Sequence, residues 1–309
     1  MSAHPPATIG LSLRSLLGTS SIILQRGDND KKSAWGGKAR TGMSGQPVRE
    51  LQEALVKVGA MSGTPDGDFG KKTQEAVRRF QWYLLRIAYR LRVTGSAKSL
   101  HGSLEPYKQP VGVKVDGFLR LPTLSTLIEW QDGGFETTSP LVACGFDKLS
   151  HIERAPGFDI LDYPTPGSDE MLVHQDFLPW IKALNAKAKD KAVRLRVNQA
   201  FRVQGLPVSG AVVPPASRSQ HLIGHAMDVN IVDANKVNTS TMFIAGSATQ
   251  AAKDFVKAAK DLGLRWGGDF SPIDPPHFDR RVLHTSDNYL HSFYFAQRSF
   301  DRHHVVRKA

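Results

Sequence analysis

A single cysteine, Cys144, is present in 309 residues. One thiol cannot close an internal disulfide, and it excludes every zinc site built on several cysteines. Any metal must therefore be held by histidine and carboxylate side chains. Long apolar runs are also missing, none approaching the roughly 18 residues that a membrane-spanning helix needs. Near the N-terminus, Gly10-Leu-Ser-Leu-Arg-Ser-Leu-Leu-Gly18 is broken by Arg14, with no basic stretch ahead of it and no clear small-residue cleavage site behind it. A secretory signal peptide is not expected, so the chain is read as made in the cytoplasm and as needing another route to any substrate outside it. Acidic residues are in deficit, 29 against 40 Lys and Arg, for a net charge of +11. That surplus favours polyanionic surroundings. No recognition-helix, zinc-finger or aromatic-basic sheet pattern accompanies it, so no specific nucleic-acid partner is expected.

What is present is an ordinary globular composition, 40% hydrophobic and 22% charged, long enough for about two domains. Residues 1–45, rich in Gly, Ser and Lys, are read as a poorly ordered arm. From Gln46, Val48, Leu51, Leu55 and Val58 recur at helical spacing and Gly59 ends the pattern. A second helix is expected through Thr73, Ala76, Val77 and Phe80. Asp66-Gly-x-Phe-Gly-x-x-Thr73 returns as Asp116-Gly-x-Leu-x-x-x-Thr123, an internal repeat in which Asp-Gly makes the turn and Thr enters the next helix. The basic stretch from Trp82 to Pro110 between the two copies, with Arg86, Arg90 and Arg92, is expected either to extend the second helix and add a loop or to form a solvated helix. Residues 133–150 are read as a linker. Beyond it, a helix is expected between Asp169 and Lys191, a strand over Val193–Phe201, a helix over Thr249–Leu262 and a terminal helix after Ser286.

The chemistry concentrates in Ser219-Gln-His-Leu-Ile-Gly-His-Ala-Met-Asp228 and Asp274-Pro-Pro-His277. Polar and apolar residues alternate from Ala226 to Asn230, as on a half-buried strand with Met227, Val229 and Ile231 toward the core. His221 and His225 are four apart, but a metzincin-type helix needs Glu directly after the first His, and Leu222 stands there. His225 is therefore read as supporting or structural. The remaining set, His221, Asp228 and His277, offers two imidazoles and one carboxylate, the donor set of a hydrolytic zinc site with one open position. Asp274, three residues before His277, is placed to move a proton. Ser219 either bonds substrate or shapes the turn, and Asp269 either orients a ligand histidine or belongs to a turn.

These residues carry two family resemblances. Leu51-Gln52-x-x-Leu55 with Asp66-Gly-x-Phe-Gly-x-x-Thr73-x-x-Ala76-Val77-x-x-Phe80-Gln81 resembles the three-helix peptidoglycan-binding domain of cell-wall hydrolases, over residues 46–132. Ser219-x-His221-x-x-Gly224-x-Ala226-x-Asp228 with Asp274-x-x-His277 resembles the zinc D-alanyl-D-alanine carboxypeptidases and L-alanyl-D-glutamate endopeptidases. Trp266-Gly-Gly-Asp-Phe270, shortly before Asp274-x-x-His277-Phe278, is similar to the phage-type endopeptidase branch. The resemblance implies Zn2+ on His221, Asp228 and His277, Asp274 as the base, and Arg202, at the end of the strand entering the site, on a substrate carboxylate or the developing oxyanion. Ser219 is carried as a substrate-binding candidate, and Asp269 and His225 as supporting residues behind the ligands. The fold expected is α+β, a small antiparallel-sheet zinc peptidase domain over 151–309 preceded by the three-helix domain. The function expected is hydrolysis of the peptidoglycan stem peptide as an L-alanyl-D-glutamate endopeptidase, an endolysin or secreted effector acting in the periplasm or cell wall as a monomer. The alternatives are a D-alanyl-D-alanine carboxypeptidase and a wall-binding protein with an inactive peptidase domain.

Overall fold

Leu, Val and Ala at helical spacing give the first two of three N-terminal helices an apolar stripe each, and these pack with a third, more fully buried helix to make the first core. In the computed structural model of the chain the described residues are 9–19, 23–39, 43–86, 89–94, 101–156, 169–205, 217–301 and 306–307. The chain divides into two compact units, Met1–Thr138 and Ser139–Ala309. Among the described residues no helix is long and apolar enough to cross a membrane.

In the first unit, α1 (Pro47–Lys57), α2 (Lys71–Arg86) and α3 (Leu121–Gly133) bury Leu51, Leu55, Val77, Phe80, Leu127 and Trp130. The Trp130 ring meets Phe80 and Tyr83 edge to face, with centroids 5.5 and 5.7 Å apart, a favoured aromatic geometry. Behind the internal repeat stands a buried glutamine in each copy. The Gln52 side-chain carbonyl accepts from the backbone N–H groups of Asp66 and Gly67, and its amide donates to Asp66, to the Asp68 carbonyl and to Thr73. Gln81 repeats the pattern on Asp116, Gly117, Phe118 and Thr123. One side chain thus satisfies the turn and ties it to the start of the next helix.

Two expectations change here. The described part of residues 1–45 is not a loose arm: Leu11, Leu13, Leu16, Leu24 and Trp35 are buried, and β1 (Ile9–Leu11) pairs in parallel with β4 (Met43–Gly45). Between them β2 (Ala34–Trp35) and β3 (Lys38–Ala39) form a small hairpin. The charged turn has a defined task, because the Asp30 carboxylate accepts from the backbone N–H groups of Val48 and Arg49 and caps α1 from 17 residues upstream of its first residue. In the basic stretch, α2 does run on to Arg86. After it, β5 (Tyr89–Thr94) and β6 (His101–Pro106) form an antiparallel hairpin that β7 (Phe135–Glu136) extends, in place of a loop. Two of its arginines are used internally. Arg90 pairs with Glu129 at 2.7 Å, Arg92 with Glu105 at 2.5 Å, and both guanidinium groups lie over the Phe135 ring.

The second unit has a larger sheet ordered β14–β15–β12–β11–β9, with β13 also on β12. Its strands are β9 (Ile152–Arg154), β11 (Val193–Gln199), β12 (Ala226–Asp233), β13 (Lys236–Asn238), β14 (Arg265–Trp266) and β15 (His277–Asp279). All neighbours are antiparallel except β9 and β11. Val193, Leu195 and Val197 join Met227, Val229 and Ile231 in the core, against α4 (Leu178–Asp190) and α6 (Gln250–Asp261). Alternation then turns Asp228 to the opposite face. A second sheet joins β8 (Leu141–Gly145), β10 (Glu170–His174) and β16 (Val306–Arg307), and α7 (Asp287–Asp301) buries Tyr289, Phe295 and Ala296. The architecture is α+β.

The stretch expected as a linker, 133–150, therefore supplies β7 to one unit and β8 to the other. Every residue of β8 is buried, on both faces, so its sequence has no alternation to reveal a strand. The helix expected from Asp169 begins only at Leu178, because Glu170–His174 is strand β10, and Pro179 opens α4 where a proline costs no hydrogen bond.

Replacing Gln52 with Leu keeps the volume and leaves the Asp66 and Gly67 N–H groups without their acceptor. We expect a loss of about 2–3 kcal/mol in the first unit, read as a lower urea midpoint with metal affinity of the second unit unchanged. An unaltered midpoint would mean that the glutamine is not the hub of the turn.

Candidate metal centre

Strands β12 and β15 pair with Asp228 directly opposite His277. His221 comes from a short 3-10 turn, Gln220–Ile223, that precedes β12. Gly224 ends this turn at φ +70°, and a Cβ there would lie 2.6 Å from the His174 backbone nitrogen, so both its conformation and its space call for glycine. The result is that His221 Nε2, Asp228 Oδ1 and His277 Nδ1 lie 3.0–3.1 Å from one another.

The hydrogen bonds behind these atoms decide what the cluster can hold. His221 Nδ1 lies 2.5 Å from the Ala200 carbonyl, which only accepts, so this nitrogen carries the proton. His277 Nε2 lies 2.9 Å from the Asp279 carboxylate and donates to it. With its outer nitrogen so engaged, each ring in its neutral form would turn a bare lone pair toward the other and toward a carboxylate oxygen. Three electron-rich atoms would then face one another among buried rings, an arrangement that a cation or added protons between them would stabilise. Zinc bonds of 2.0–2.1 Å in tetrahedral array put neighbouring ligand atoms about 3.3 Å apart, close to the spacing found here. The residues fit the ion.

Without an ion, the same demand for positive charge falls on protons. For His277, burial alone pushes the imidazole down, but hydrogen bonds and charge from Asp228 and Asp279 raise it to about 10. For Asp228, burial pushes up and is outweighed by the charge and hydrogen bonds of His221 and His277, which hold it far below the usual carboxylate range. Asp274 differs from both: burial and then the negative charge of Asp228 raise it. A carboxyl poised upward beside such a cluster suits proton transfer. Its placement depends on Gly267, whose carbonyl accepts from the Asp274 N–H and whose absent Cβ would meet the Asp274 carbonyl oxygen at 2.0 Å.

The other expected residues divide. Arg202 is buried just after β11; its N–H donates to the His221 carbonyl and its own carbonyl accepts from Gln297. Ser219 caps the turn, accepting from the His221 N–H at 3.3 Å, which is the turn-shaping role. Asp269 is not behind a ligand; it forms a surface ion pair with Lys260 at 2.6 Å. His225 is not behind one either. Its ring packs on His174, centroids 4.4 Å apart, and on Phe177. The residues that do stand behind the ligands are the Ala200 carbonyl and Asp279. The sequence signal for Asp279 is its position two residues after His277, on the same face of a strand.

Residues 214–280 match a family profile described as D-alanyl-D-alanine carboxypeptidase, a span containing His221, Asp228, Asp274, His277 and Asp279. The second unit is thus similar to this peptidase family over the stretch that holds the metal centre. Residues 44–97 match a profile described as a putative peptidoglycan binding domain. An L-alanyl-D-glutamate peptidase of Listeria phage A118 is 28% identical over 132 residues, 42% of this chain and 37% of the relative, so the match spans well under half of that protein. The Serratia marcescens L-Ala D-Glu endopeptidase ChiX, a solved structure, is 23% identical over 44% of this chain and 96% of its own, with a TM-score of 0.26.

In the peptidase unit, burial lowers His174 to about 3 and His225 to about 2 from an ordinary 6.5. Both are neutral when folded. As pH falls below about 6.5 the unfolded chain takes up two protons that the folded unit refuses, so stability is complete above that value and drains as pH falls toward 3. We expect His225→Phe to remove one of these protons. The stability difference between variant and wild type should then change by about 1.4 kcal/mol per pH unit between pH 6 and 4, measured by urea denaturation with chelator present. A pH-independent difference would contradict a neutral buried His225.

Proposed function

We propose that this protein is a zinc-dependent peptidoglycan hydrolase that cuts the L-alanyl–D-glutamate bond of the stem peptide. The observation that carries the proposal is the convergence of His221 Nε2, Asp228 Oδ1 and His277 Nδ1, with the outer nitrogen of each ring engaged by an acceptor. His221, Asp228 and His277 would hold the ion. When bound, zinc supplies Lewis-acid chemistry at the scissile carbonyl and lowers the pKa of water. Asp274 takes the proton from the attacking water and hands it to the amine nitrogen of the leaving residue, a task its raised pKa suits. Arg202 is the candidate for a substrate carboxylate.

The choice of bond is supported by the phage relative named an L-alanyl-D-glutamate peptidase. The description of the matching profile as a D-alanyl-D-alanine carboxypeptidase supports the second reading, in which the terminal D-alanine is released. The match to a peptidoglycan-binding domain supports a tether that raises the local concentration of wall substrate without changing the chemistry. Such an enzyme would act on the wall from the periplasm or outside, as an endolysin or a delivered effector.

Purified peptidoglycan digested by the full chain tests the proposal, with products identified by mass spectrometry. New L-alanine carboxyl termini are expected, with loss of cleavage in chelator and recovery on adding zinc. Asp274→Ala should lower kcat by about 100- to 10,000-fold. Free D-alanine as the product would replace the endopeptidase reading with the carboxypeptidase one, and equal cleavage by Asp274→Ala would remove Asp274 from the reaction.

A further inference from the structure

His277 and Asp279 sit two residues apart on β15, so their side chains project from one face. Asp279 is 1% exposed and accepts from His277 Nε2 at 2.9 Å. Its cross-strand partner on β14 is Arg265. The guanidinium grips the same carboxylate at two points, Nε to Oδ1 at 2.8 Å and Nη2 to Oδ2 at 2.6 Å. Phe270 closes the group, its ring 5.0 Å from the Arg265 guanidinium carbon and 5.7 Å from the His277 ring. Arg265, Asp279 and His277 therefore form a continuous chain that ends at a nitrogen facing the metal centre. Nothing in the first two members touches that centre directly.

We propose that Asp279, locked in place by Arg265, is a positioning residue that sets the tautomer, orientation and donor strength of the His277 ligand. This rests on the zinc site proposed above. A carboxylate accepting from Nε2–H leaves the lone pair on Nδ1 and makes the ring a stronger donor. The bidentate grip of Arg265 fixes the plane of that carboxylate and keeps it from turning into the cluster as a competing ligand. His221 is held instead by the neutral Ala200 carbonyl, so the two histidines are unequal, and His277 is the one whose donor strength is set by charge.

The test is zinc affinity of the full chain, measured by competition with a chromophoric chelator, together with the visible spectrum of the cobalt-substituted protein. Asp279→Asn preserves shape and removes the charge. It should weaken zinc binding about 10- to 100-fold and shift the cobalt bands. Arg265→Gln leaves the carboxylate but frees it, and should give a smaller loss in the same direction. A folded Asp279→Asn protein with wild-type zinc affinity and an unchanged cobalt spectrum would reduce the chain to an ordinary ion pair between strands and overturn the inference. Should Asp279→Asn fail to fold, Arg265→Gln decides, and unchanged affinity there overturns it equally. Wild-type protein that binds no zinc would instead strike at the metal site itself, an outcome separate from failure of the variants.

Discussion

Strand β12 meets β15 with Asp228 facing His277, and the chemistry of the second unit hangs on that register. Side chains on a strand alternate with a period of two, so a slip of one residue would carry Asp228 into the core and Met227 into the site. The register is held from the core side by Met227, Val229 and Ile231, which pack with β11 and the helices. It is also marked at its other border. The pairing of β11 with β12 shifts between Val197 and Gln199, just where Gln199 comes opposite Asp228. Bulges of this kind bend a strand and re-aim the residues beyond them. The next residue here is Ala200, whose carbonyl holds His221. Apolar packing on one face of the sheet thus fixes the positions of all three candidate ligands on the other.

The electrostatics of the centre is a consequence of that geometry. Two rings are each fastened by the outer nitrogen, and what remains inside is unshared electron density in a space with little water. Such a site is costly unless a cation fills it. In a metal-free chain protons would take that place, and the raised pKa of His277 expresses this demand. Metal and protons therefore compete for one set of atoms. Asp274 stands outside the set, half-buried and pushed upward by Asp228. A difference of role among the three aspartates arises from surroundings alone: Asp228 faces imidazoles, Asp279 is matched by Arg265, and Asp274 faces a negative neighbour.

The metal cluster is legible in the sequence because its residue types are uncommon together and their spacing is short. The strand around Asp228 is legible because one face of it is buried and the other is not. Helices α1, α2 and α6 show for the same reason. The features that escape a sequence reading divide into physical kinds. Strand β8 is apolar on both faces, so no period exists to find. The alternation in Arg90-Leu-Arg-Val93 is visible but comes directly after a helix and is easily absorbed into it. The cap that Asp30 provides to α1 joins residues whose relation depends on a fold of the intervening chain. Asp269 draws the eye ahead of Asp279 because it sits in a motif, yet support for a ligand is decided by which carboxylate shares its face of the strand.

The glycines of the two motifs place a further constraint on what their fixed spacing means. At Gly224 a side chain would strike the backbone of β10, and at Gly267 it would strike the carbonyl of Asp274. Neither position touches a candidate ligand atom, so neither contributes a donor to the centre. Each instead allows two stretches of backbone to approach more closely than any side chain permits, one locating the His221 turn and the other locating Asp274. The motif is accordingly a record of backbone distances as much as of ligands. Conservative changes at these glycines would leave every donor present and move it, and an arrangement whose ligand atoms lie within 3.0–3.1 Å of one another has little room for such movement.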